Sequence, residues 1–304
     1  MRCEGSIVAL VTPFDEDGSI DMRALCMLIE RQIEAGTQAI VICGSTGETP
    51  TLSDTEQREV LEESLRIAEG RIPIIAGTGG YSTAATVAKT RQAKEIGAAA
   101  CLVVFPYYNR PTPAGVRKHF EALANVGISL ILYHHPGRTG LRLPAADLID
   151  LLAMDEVIAI KESSGDIDLF LELIHSSDKP VLTGDDLHTI PFIAAGGKGV
   201  ISVIANVIPK EWKQMADFCL QGDFVSAREL FDRFYPLCKT MTLETNPQCV
   251  KFALSLMGLS RKELRLPLIE PLDSTQEKIR IAMQPLLAQT SMPVARAHTI
   301  ESIF

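Results

Sequence analysis

Short apolar runs, each bounded by glycine or a small polar cluster, alternate with longer stretches of helical periodicity from residue 6 to residue 203. Runs that are too short for a helix and apolar at successive positions suit strands buried on both faces, as in a parallel sheet. They are predicted at 6–11 (SIVALV), 38–43 (QAIVIC), 72–77 (IPIIAG), 99–105, 128–133, 157–161 (VIAIK), 180–183 and 199–203. Helices are predicted between them at 21–36, 53–70, 83–97, 114–125, 144–153 and 169–176, and Ser53 with Glu56 three residues on forms a capping box for the second. Eight strands alternating with helices predict an α/β fold, a closed parallel (β/α)8 TIM barrel.

After Pro209 the strand signal stops, and the segments 212–220, 223–240, 247–257 and 275–287 are helical. The first completes the barrel. We therefore divide the chain into a catalytic barrel over 1–220, a C-terminal helical region over 221–288 and a mobile tail over 289–304, where periodicity is lost.

In this fold the loops at the C-terminal ends of the strands share one site. The sixth strand ends in Lys161, a charge at the point where an apolar run leaves the interior. Burial disfavours the ammonium form and supplies the free amine that attacks a ketone to form a Schiff base. The plainer alternative is a lysine whose stem lies on apolar surface while its head reaches water.

The neighbouring loops favour the chemical reading. Residues 44–48 (GSTGE) offer backbone N–H groups and hydroxyls to a carboxylate, and neither they nor 77–80 (GTGG) match a phosphate-binding or dinucleotide fingerprint. Tyr133, one strand before Lys161, is placed for proton transfer, Ser45 and Tyr108 extend a hydroxyl relay, and Arg138 presents a planar fork to a carboxylate. His134 and His135 are adjacent, so in an extended strand they point to opposite faces and cannot both chelate one metal. No metal site and no cofactor are expected.

Composition excludes other classes. The 304 residues are 46% apolar and 22% charged, as in an ordinary globular protein, and a net charge of -9 with a pI near 5.3 gives no footprint for nucleic acid or an anionic membrane. No apolar run approaches the ~18 residues of a spanning helix. The N-terminus lacks a secretory pattern, so a cytoplasmic protein is expected. Seven scattered cysteines without a paired spacing read as free, buried thiols.

Taken together, GSIVALVTPF, GSTGE, AGTG, PYYNRP, ILYHHPGRTG, IKESSGD, TGDD, GGKGVISVIANV and NPQCVK run in order over about residues 5–287. In these the chain resembles the dihydrodipicolinate synthase family, within the N-acetylneuraminate lyase superfamily of class I aldolase-like barrels. The resemblance implies that Lys161 forms an imine with pyruvate, whose enamine attacks L-aspartate 4-semialdehyde to give 4-hydroxy-tetrahydrodipicolinate, in lysine and diaminopimelate biosynthesis. It implies Tyr133 as proton shuttle within a hydroxyl triad with Ser45 and Tyr108. The Ser45-Thr46 segment would hold the pyruvate carboxylate, Gly184 and Val203 would contact substrate, and Arg138 would receive the aldehyde's carboxylate. It further implies a homodimer or homotetramer in which Tyr107 reaches toward the neighbouring site.

Three departures stand out. Ser45 replaces a usual threonine and loses the methyl that fixes the rotamer. His134 and His135 replace a usual Asn-Val pair. Asp54, Gln57, Tyr81 and Ala85 stand where lysine-inhibited relatives carry two histidines, an asparagine and a glutamate, so feedback by L-lysine is expected to be weak or absent. The closest rival function is a lyase of the same superfamily that cleaves a sugar acid or keto-deoxy acid to pyruvate, and Arg138 argues for the synthase.

Overall fold

The computed structural model describes residues 1–290. Among them, β1 (Gly5–Ala9), β2 (Ala39–Ile42), β3 (Ile74–Gly77), β4 (Ala100–Val104), β5 (Leu130–His134), β6 (Val157–Glu162), β7 (Val181–Thr183) and β8 (Gly199–Ser202) pair in parallel in sequence order. β8 returns to β1 and closes the barrel, in the register Gly5↔Gly199 to Val8↔Ser202. Both glycines are needed where the seam closes: a Cβ on Gly199 would lie 2.1 Å from the Gly5 carbonyl oxygen.

Alternate strand residues face two different layers. Ile7, Val41, Ile75, Leu102, Ile131 and Leu182 fill the barrel interior. Their neighbours Val8, Ile40, Ile74, Val103, Leu132 and Ile160 point outward, into the layer under the helices. That layer is covered by α1 (Met22–Ala35), α2 (Asp54–Ala68), α3 (Thr83–Ile96), α4 (Pro113–Ala124), α6 (Ala145–Leu152), α7 (Ile167–Ser176), α8 (Thr189–Ala194) and α9 (Pro209–Leu220), while the single turn α5 (Pro136–Thr139) follows β5 and borders the cavity at the strand ends. Each fully buried aliphatic side chain contributes roughly 1.5–3 kcal/mol, which is why both strand faces read as apolar.

The helix boundaries follow local chemistry. Asp21 accepts from the N–H groups of Arg23 and Ala24 to start α1, which Gly36 ends at φ 72. The capping box of α2 is formed: Ser53 N–H donates to Glu56 Oε2 at 2.8 Å, and Glu56 N–H donates to Ser53 Oγ at 3.2 Å. Two elements escaped the periodicity, α5 and α8. They are single turns or little more, with Pro136 and Pro191 inside them, and are too short for a helical period to register. β5 and β6 each run one residue past the predicted end, through His134 and Glu162, because those polar side chains satisfy one another inside the protein.

Beyond the barrel, α10 (Phe224–Thr240) packs on α9 and α12 (Asp273–Thr290), and α11 (Gln248–Leu256) lies against α12. α11 also reaches the barrel mouth, where Lys251 Nζ donates to Glu48 Oε1 at 2.6 Å. The tail expected over 289–304 falls, from residue 291 onward, outside the described residues. All seven cysteines are free; Cys26 is half-buried and the other six are buried. Among the described residues, no helix is long and apolar enough to cross a membrane.

Candidate active site

The alternation that fills the barrel also aims Lys161. β5 and β6 pair Tyr133 with Lys161 and His134 with Glu162, so the first pair faces inward and the second outward. Lys161 Nζ stands 4.4 Å from the centroid of the Tyr133 ring, and the residue is only 5% exposed. Among the described residues, no carboxylate lies within ion-pairing distance of that nitrogen and it makes no hydrogen bond to protein.

Room for the lysine comes from a glycine. A Cβ on Gly184, in the loop after β7, would lie 2.6 Å from Lys161 Cε and 1.8 Å from Ser163 Oγ. Gly184 thus serves the site by clearance rather than by a side-chain contact.

Above the strand ends lies a cavity of about 540 Å³, lined by Gly44, Ser45, Tyr107, Tyr133, Arg138 and Asn246 among others. Lys161 is not part of this lining and meets the cavity through Tyr133. Ser45, Tyr133 and Arg138 all line it, so a hydroxyl, a phenol and a guanidinium border one space. A small acid held there could be hydrogen-bonded by the 44–48 loop, paired with Arg138 and served by the Tyr133 hydroxyl as proton donor.

Thr46 is buried, and its Oγ1 accepts from Asn246 Nδ2 at 2.9 Å. The carbonyl of the same Asn246 accepts from Arg138 Nη2 at 3.1 Å. One residue from the C-terminal region therefore links the 44–48 loop to Arg138. Sequence reasoning did not assign it a role, although NPQCVK marked the place. Asp186, in TGDD, was likewise missed: its Oδ2 accepts from the N–H groups of Val203 and Ile204 at 3.0 and 2.8 Å. Burial pushes its pKa up to about 6. Val203 has its N–H committed to Asp186 and its carbonyl to Asn206, while its side chain packs on the layer under the helices and is not part of the cavity lining.

The hydroxyl relay expected of Ser45, Tyr133 and Tyr108 is not assembled within one chain. Tyr108 is 91% exposed and has φ 66, a left-handed conformation that turns it out of its own barrel. Tyr107, expected to leave, instead lines the cavity and packs edge-on against Tyr81, with ring centroids 5.5 Å apart. The two histidines separate as extended geometry requires. His134 is buried on the outer face, while the His135 ring lies 5.8 Å from that of Tyr133. Burial and then the positive charges of Arg138 and Lys161 lower the His135 pKa to about 4. Among the described residues, no three His, Cys, Asp or Glu side chains cluster closely enough to hold a metal ion.

Residues 2–286 match the model of the dihydrodipicolinate synthetase family. The chain belongs to this family. It is 44% identical over 281 residues to the 4-hydroxy-tetrahydrodipicolinate synthase of Aquifex aeolicus, covering 91% of this chain and 95% of that one. With the enzyme of the same name from Pseudomonas putida it shares 44% identity over 283 residues, 92% of this chain and 97% of the other. Among solved structures, dihydrodipicolinate synthase from Aquifex aeolicus superposes with a TM-score of 0.91 at 42% identity, over 93% of this chain and 98% of that chain. The chloride-inhibited dihydrodipicolinate synthase of Acinetobacter baumannii, complexed with pyruvate, gives 0.91 at 39% identity, over 93% and 98% of the two chains.

Proposed function

We propose that the chain condenses pyruvate with L-aspartate 4-semialdehyde to give 4-hydroxy-tetrahydrodipicolinate, the product for which its curated relatives are named. The observation that carries this reading is Lys161: a buried amine without an ion-pair partner among the described residues, 4.4 Å from the ring centroid of Tyr133 and backed by Gly184.

In its free-amine form, Lys161 adds to C2 of pyruvate, and the carbinolamine loses water as Tyr133 delivers a proton to the departing hydroxyl. A proton then leaves C3, and the resulting enamine attacks the aldehyde carbon of the second substrate, whose oxygen takes up a proton. The substrate's own amino group adds to C2, closing the ring and expelling the Lys161 amine. The 44–48 loop, with Ser45 and Thr46, suits the pyruvate carboxylate. Arg138, on the cavity wall, suits the carboxylate of the semialdehyde. Neither role calls for a metal or an organic cofactor.

The exposed Tyr108 supports assembly with a second copy. A ring turned out of its own barrel from the site rim is suited to complete a neighbour's hydroxyl relay, so we assign to Tyr108 the crossing first expected of Tyr107. A homodimer, or a tetramer of paired dimers, satisfies this. A biosynthetic step between two freely diffusing acids suits the cytoplasm. The test is steady-state turnover with the two named substrates, with Tyr108→Phe assayed alone and mixed with Lys161→Ala. Activity regained on mixing is expected if the tyrosine acts across a subunit boundary, and no condensation of the two substrates by the native protein would overturn the function.

A further inference from the structure

We propose that His134 is a positioning residue for the reacting pair: its hydrogen bond to Glu162 on the outer face of the barrel holds β5 and β6 in the register that sets Tyr133 against Lys161 on the inner face. This rests on the assignment of Lys161 and Tyr133 as the reacting groups.

The geometry is specific. Tyr133 pairs with Lys161 and His134 with Glu162, so each polar partner is bonded through the chain to one member of the reacting pair. His134 Nδ1 lies 2.8 Å from Glu162 Oε1, with both side chains fully buried. The remaining bonds fix the roles. Leu143 N–H donates to His134 Nε2 at 3.4 Å, so Nδ1 carries the proton that goes to Glu162. Glu162 takes a further donor, the N–H of Ser164, at 3.0 Å to each oxygen. The His134 carbonyl accepts from Ser163 N–H at 2.9 Å, so backbone and side chain of the same residue both tie the end of β5 to the turn that follows Lys161.

The backbone ladder of β5 and β6 runs from Leu130↔Val157 to His134↔Glu162 and shifts register between Leu130 and Ile131, so the buried His134–Glu162 pair closes the end of the ladder next to the reacting groups. Because consecutive residues on a strand point to opposite faces, a slip or splay on the outer face moves the inner pair by a comparable distance. A misplacement of about 1 Å at a reacting group can cost roughly 100-fold in rate.

Three variants test the proposal, assayed at a temperature where circular dichroism shows each to be folded. His134→Phe keeps a ring against Phe105, now 5.6 Å from that of His134, and removes the donor. We expect kcat and the rate of borohydride-trapped pyruvate adduct formation to fall together by about 10- to 100-fold. KM for pyruvate should stay within about 2-fold, since its carboxylate is held on the β2 loop. His134→Asn places an amide nitrogen near the position of Nδ1, can still donate to Glu162, and should retain kcat within about 3-fold. Should His134→Phe fail to fold with a lone buried carboxylate, His134→Phe with Glu162→Leu removes both polar groups and should be equally slow. A native kcat in either Phe variant, or equal impairment of His134→Asn and His134→Phe, would overturn the proposal. Absence of a pyruvate adduct on Lys161 of the native protein would overturn it together with the assignment of the reacting pair, whereas native trapping with an unaffected Phe variant would overturn the positioning role alone.

Discussion

Lys251→Met is expected to destabilise the protein by about 3–5 kcal/mol, the usual cost of removing one partner of a buried ion pair. Lys251 and Glu48 have side chains 0% and 1% exposed and are joined at 2.6 Å. Lys251 Nζ also stands 4.0 Å from the centroid of the Phe14 ring. Burial draws the Lys251 pKa down to about 8, and the Glu48 carboxylate opposes that fall. Methionine reproduces the stem, so packing loss is small and the main effect is a carboxylate left with the Arg265 N–H, at 3.1 Å, as its chief remaining donor. The assay is equilibrium unfolding in urea, with the slope unchanged so that the midpoint reports stability. Glu48→Gln and the double variant complete a cycle, and the double variant should lose markedly less than the sum of the singles. A loss below about 1 kcal/mol, as for an exposed pair, would refute the reasoning. Because Glu48 ends the 44–48 loop, the same variant should raise KM for pyruvate.

Arg138→Ala should impair use of the semialdehyde by roughly 10- to 150-fold, the worth of one charge-assisted contact at ~1.5–3 kcal/mol, and leave pyruvate trapping nearly intact; equal losses at both substrates would count against the assignment. Initial rates at saturating pyruvate should be insensitive or only weakly sensitive to L-lysine. The cavity wing that carries Tyr81 and Ala85 also carries Lys89, whose Nζ is 3.2 Å from Asp54, so the one added acid is already paired, and half-inhibition at sub-millimolar lysine would contradict this. His119 is buried beside Thr83, and burial lowers its pKa to about 4. The unfolded chain then binds the extra proton between about pH 6.5 and 4, so stability present above that window is lost as pH falls through it. His119→Asn, which keeps the contact to Thr83 without titrating, should move the acid-unfolding midpoint to lower pH, and an unmoved midpoint would refute the role. Asp186, raised to about 6, acts with the opposite sign, its contribution falling as pH rises from about 4 to 6.

The barrel was legible because strands buried on both faces leave uninterrupted apolar runs, and Lys161 stood out as a charge closing one of them. What escaped depended on distance or direction. Asn246 meets Thr46 across 200 residues of chain, and nothing local in NPQCVK says where its amide will lie. His134 and Glu162 look like loop residues when read singly, and become strand residues only when the cross-strand register lets each satisfy the other. The roles of Tyr107 and Tyr108 turn on the positive φ of Tyr108, which the letters PYYNRP do not encode. α8 was hidden by Pro191 and by its six-residue length.

We propose Lys161 as the amine that captures pyruvate. Incubation with pyruvate and borohydride, followed by peptide mass analysis, tests this directly: one stable adduct per chain is expected on the peptide containing Lys161, absent from a folded Lys161→Ala variant. An adduct elsewhere, or one that persists in that variant, would contradict it.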